Sequence, residues 1–88
     1  MEEFLNEIGI QGRLNITDDN TGVLEILGSD NYGRVYSRLD KSNLVEEDED
    51  SSQMTAETAS IQYESEKYLI TLLANFDTDE YKLVIKEN

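Results

Sequence analysis

At 88 residues the chain has room for one domain and not two. It contains neither Cys nor His, which excludes a disulfide framework and a Cys-based zinc site and removes the usual metal ligand and proton shuttle. Twenty acidic residues against seven basic ones give a formal net charge of -13, a field that repels nucleic acid and anionic membranes and attracts basic surfaces. An apolar fraction of 38% is low, yet seven aromatics (five Tyr, two Phe) argue for a folded domain over residues 1–88 rather than a disordered chain. A chain this short buries only about 60–65% of its extended surface, so each strongly apolar segment is needed for the core.

The opening EEFLNEI (2–8) spaces Phe4, Leu5 and Ile8 as one helical face, with Glu2 and Glu3 at the positive end of the helix dipole and Gly9 as a stop. From Ile10 the period becomes alternating. Ile10, Gly12, Leu14 and Ile16 share one parity, as in a strand with one buried face. DDNTG (18–22) reads as a turn and VLEIL (23–27) as the return strand. GSDNYG (28–33) reads as a second turn, and RVYSRLD (34–40) as a third strand alternating Val35, Ser37 and Leu39 with Arg34, Tyr36 and Arg38.

The character then changes. Residues 42–66 hold eight acids and no Lys or Arg, and residues 42–59 have no sustained period, so they read as an acidic connection, flexible or partly helical. Alternation returns in SIQYESE (60–66), followed by the most apolar segment, EKYLITLLANF, whose two-sided pattern suits a central strand. FDTDE (76–80) is a turn, and YKLVIKE (81–87) a last alternating strand. The expected fold is mostly β. About six antiparallel strands form two meanders, packed face to face or joined by their edges as a small sandwich or barrel, with a short N-terminal helix. The N-terminus has neither a basic region nor an apolar run of signal-peptide length, and no stretch approaches the ~20 apolar residues of a membrane span, so a cytoplasmic location is expected.

The sites of familiar chemistry do not assemble. Asp18, Asn20 and Gly22 match only part of a calcium-loop pattern, and Asp77 and Asp79 lack its glycine; both sets read as turn residues, and no metal or other cofactor is expected. Paired carboxylates for glycoside hydrolysis need a cleft that so small a domain has little room for, so an enzyme is not expected. Asn15-Ile16-Thr17 matches a glycosylation acceptor, but on a strand and without a secretory signal it reads as a chance triplet. Arg34, Tyr36 and Arg38 could stack and pair with nucleic acid elsewhere, but in this field they read as partners of neighbouring acids, and Lys82 and Lys86 as edge protection or cross-strand partners.

What remains is the acid itself. Glu46, Glu47, Asp48, Glu49 and Asp50 are consecutive, and Glu57, Glu64 and Glu66 follow within the base-free window. Same-face residues on a strand repeat every ~6.6–7 Å, close to the spacing of successive phosphates along one nucleic-acid strand. These eight residues are therefore the expected contact surface for a basic, nucleic-acid-handling protein. In overall character the chain resembles the small acidic inhibitors that phages direct against host nucleases, glycosylases and CRISPR effectors, and EYKLVIKEN is similar to the last long strand of the phage inhibitors of uracil-DNA glycosylase. That resemblance implies an anti-defence inhibitor acting in the host cytoplasm. The contrasting expectation is a small structural or assembly module, with 46–50 as a mobile spacer.

Overall fold

The computed structural model describes residues 1–88. Its elements run α1 (Glu2–Ile8), β1 (Leu14–Asp18), β2 (Thr21–Ile26), α2 (Gly28–Lys41), β3 (Glu46–Met54), β4 (Thr58–Glu64), β5 (Tyr68–Asn75) and β6 (Glu80–Glu87). All six strands form a single antiparallel sheet in the order β1-β2-β6-β5-β4-β3. The mostly-β class, the N-terminal helix and a count of six antiparallel strands are as the patterning predicts, and five of the six strands stand where it puts them. The strand groups join by their edges, through β2 and β6, and the sheet stays open rather than closing into a barrel, with β1 and β3 as its edges.

Three rows of side chains crossing the sheet explain its stability. One runs in register from Ile61 through Leu72, Leu83 and Leu24 to Leu14; a second links Tyr63, Ile70 and Ile85; a third links Ala59, Ala74, Tyr81 and Ile26. All of these are buried on one parity, and Leu5, Ile8, Val35 and Leu39 of the two helices complete the same core. Both helices therefore cover one face. The other parity, with Val23, Leu69, Leu73 and Val84 half-buried among polar residues, carries no helix. Leu14 leans over Gly22, where an added Cβ would lie 2.8 Å from Leu14 Cγ, so the close approach of β1 to β2 requires glycine there. Gly9 ends α1 in the left-handed conformation (φ 89°), donating its N–H to the carbonyls of Leu5 and Asn6.

Two segments differ from the sequence expectation. Residues 34–40 are helical, part of α2, not a third strand. Val35 and Leu39 fit both periods, but Tyr32, Val35, Tyr36 and Leu39 together follow the i, i+3, i+4, i+7 spacing of a helix face. The stretch 28–33, read as a turn, is its first turn and a half. The second difference is the acidic connection over 42–59, which holds the edge strand β3. Buried Val45 anchors its start, and the ladder of β4 supplies backbone partners that five mutually repelling carboxylates do not themselves provide. The chain is thus a β1–β2 hairpin, a helical crossover and a four-stranded meander.

Tyr63 carries the one orphan of the core. Its side chain is 1% exposed, and its hydroxyl has no hydrogen-bond partner. Burial, and secondarily the nearby Glu47 carboxylate, push its pKa well above the ordinary tyrosine value. Removing a hydroxyl that makes no bond while keeping the ring should not cost stability. Tyr63→Phe is expected to unfold in urea at an equal or higher midpoint, with a gain of up to about 1 kcal/mol; a loss of that size would mean the hydroxyl is satisfied after all.

Candidate protein-binding surface

Formation of β3 gives the acidic run a register. Glu46 stands opposite Glu64, Glu47 opposite Tyr63 and Asp48 opposite Gln62. Glu46, Asp48 and Glu64 thus share the open face of the sheet, while Glu47 lies on the helix-facing parity at the rim above Tyr63. Directly opposed Cβ atoms in antiparallel pairs lie ~4.5–5.5 Å apart, so Glu46 and Glu64 place like charges side by side. Such a pair destabilises a sheet, and a Lys at either position would have served edge protection better.

Beyond Asp48 the register shifts until Gln53 meets Ser60, which leaves residues 49–52 as an enlarged bulge. Asp48 organises it. Its carboxylate accepts the Ser51 N–H (3.3 Å), and its carbonyl accepts the Ser52 hydroxyl (2.9 Å). The Ser52 oxygen in turn accepts the Gln62 N–H at 3.0 Å, which replaces the missing ladder bond. Glu49 and Asp50 are exposed on this bulge.

The remaining two acids part company. Glu66 sits in the β4–β5 turn, next to the Glu64 end of the surface. Glu57 lies beyond the opposite end of β4, in the turn tied by Thr55 and by the Phe76 N–H to Glu57 carbonyl bond of 2.8 Å. Seven residues of strand, ~23 Å, separate it from Glu64. Seven of the eight expected residues therefore follow the β3 edge and its adjoining corner, and Glu57 does not join them.

Two acids not expected from the sequence line that corner. The rings of Phe4 and Tyr68 pack tilted against each other, centroids 4.7 Å apart, and bring α1 over the start of β5, so that Glu3 and Glu7 line a depression shared with Glu66, Lys67 and Leu44. Their i, i+4 spacing was visible in the sequence, but not where the helix docks. By contrast, Asp18 is committed to its own turn. Its carboxylate accepts the Asn20 N–H at 2.8 Å, and this bond lowers its pKa below the ordinary value. Asp79 likewise accepts the Tyr81 hydroxyl at 2.8 Å.

Against known protein families, characterised proteins and solved structures, this chain shows no match.

The opposition of Glu46 and Glu64 has a measurable signature. Glu46→Gln or Glu64→Gln is expected to raise stability at low salt by a few tenths of a kcal/mol, with the gain shrinking at higher ionic strength. Urea unfolding at low and high salt reads it, and a loss of stability at low salt would contradict the register.

Proposed function

We propose that this chain is a binding protein that occupies the positively charged nucleic-acid site of a partner and so inhibits it, using the acidic edge β3 and its corner as the contact surface. The observation that carries this reading is the register of Glu46, Asp48 and Glu64 on one face of a paired strand. Glu46 and Asp48, alternate residues of β3 ahead of the bulge, stand ~6.6–6.8 Å apart, close to the through-space separation of successive phosphates along one nucleic-acid strand, whose axial rise is ~3.4 Å. A solvated spacer would present no such spacing, and an edge built only for solubility has no reason to oppose two carboxylates. The net charge of -13 adds a long-range field that accelerates encounter with a basic partner.

A second reading, an assembly module, is favoured by the half-buried Leu69, Leu73 and Val84 on the uncovered face. Its mobile acidic spacer, however, coincides with β3.

The two diverge on neutralisation of the edge. The immobilised chain is exposed to a nucleic-acid-depleted lysate and eluted by a salt gradient, beside a Glu46→Gln/Asp48→Asn/Glu64→Gln variant. Inhibition by mimicry predicts late-eluting nucleic-acid-binding proteins, displaced by added duplex DNA and retained at least tenfold less by the variant. Retention equal for both chains, or indifferent to DNA and salt, contradicts it.

A further inference from the structure

Away from β3, two arginines gather over one cleft. Between α2, β2 and the segment after α1 lies a cleft of about 530 Å³, within the ~300–1,000 Å³ typical of small-ligand pockets. Its floor is the outer margin of the core, Ile10, Leu24, Ile26 and Val35, each 9% exposed or less, and its mouth carries Leu27, which is 81% exposed. Arg34 and Arg38, one helical turn apart on α2, stand at the rim. Two of the seven cations in a strongly acidic chain are thus side by side over one cavity.

One contact orients each exposed arginine side chain. Asn31 donates its side-chain amide to the Leu27 carbonyl (2.6 Å), which leaves its oxygen to accept from Arg34 Nη1 at 3.3 Å. The Arg38 side chain lies along Gly9, where a Cβ would sit 3.4 Å from Arg38 Cδ. Glu25, the one acid lining the cleft, belongs to the opposite parity of β2, in register with Lys82. The edge of β2 is also open on this side, since β1 pairs no further than Leu24 while β6 pairs through Ile26. The free edge of β2, the Gln11 amide, two forks of N–H donors and an apolar floor under Leu27 therefore border one space.

We propose that this cleft binds a small organic anion, a phosphate or carboxylate borne on an apolar ring-sized body, with Arg34 and Arg38 holding the anionic group and the exposed Leu27 covering the body over the floor of Ile26 and Val35. β2 and β3 are four strand spacings apart, ~19 Å, and the cleft lies on the helix side of the sheet, so this site does not depend on the acidic surface or on its function.

The test is a titration of the ¹⁵N-labelled full chain with AMP, 1-naphthoate, adenosine and inorganic phosphate, followed by amide shifts. AMP or naphthoate is expected to shift Gln11, Leu27 and Asn31 and to bind at least tenfold more tightly than either adenosine or phosphate alone. An AMP response without a naphthoate response assigns a phosphate ligand, and the reverse a carboxylate; either supports the site. Arg34→Gln/Arg38→Gln should abolish the shifts, and Arg34→Lys, which keeps charge and helix but loses the fork, should weaken binding several-fold. No response to either aromatic anion overturns the proposal. So does a response outside the cleft, one matched by phosphate alone, or one unchanged in Arg34→Lys and in the double variant.

Discussion

The row Ile61, Leu72, Leu83, Leu24, Leu14 is the constraint on which the rest of this structure depends. It joins five of the six strands and ties the early hairpin to the late meander through the β2–β6 pair, more than fifty positions apart in the chain. Because strand side chains alternate with a period of two, a slip of one residue at any pairing would send that strand's share of the row to the opposite face. Two helices suffice to cover one face, and no third is available for the other. The open face and the edges are consequently what the molecule offers to its surroundings.

The path of α2 sets which edge is offered. By crossing over the core it carries the chain from β2 to the far side of the sheet, so the most acidic stretch becomes the outer strand and the cations of α2 remain over the β2 side. The result is a domain with a dense row of carboxylates along β3 and a pair of arginines over a cleft. Edge strands commonly carry charge that discourages pairing with other chains, and the acids of β3 meet that need. The opposed Glu46 and Glu64 go beyond it, since one acid there would have been enough.

Much of the architecture was legible in the sequence. Alternation marked β1, β4 and β6, a turn-flanked apolar run marked β2, a two-sided apolar run marked β5, and Gly9 marked the end of α1. Residues 34–40 misled because Val35 and Leu39, four apart, satisfy both a strand and a helix, and only by including Tyr32 and Tyr36 does the helical face become distinct. Residues 46–54 misled for a different reason. Nothing local favours a strand in EEDEDSSQM; its order comes from the exposed ladder of β4 and from Ser52 and Asp48 closing the bulge. The candidate surface was legible in composition but not in geometry. Which carboxylates face one another is a property of register between β3 and β4, the separation of Glu57 follows from strand length, and the arrival of Glu3 and Glu7 follows from the packing of Phe4 on Tyr68.

The central claim is that the acidic run is an ordered edge strand with fixed register. Backbone chemical shifts and cross-strand nuclear Overhauser effects for residues 46–54 test it most directly. β-type shifts with Hα or amide contacts joining Glu46 to Glu64 and Asp48 to Gln62 are the predicted result. Random-coil shifts through 46–54, with no contacts to β4, would contradict it and return the run to a solvated connection.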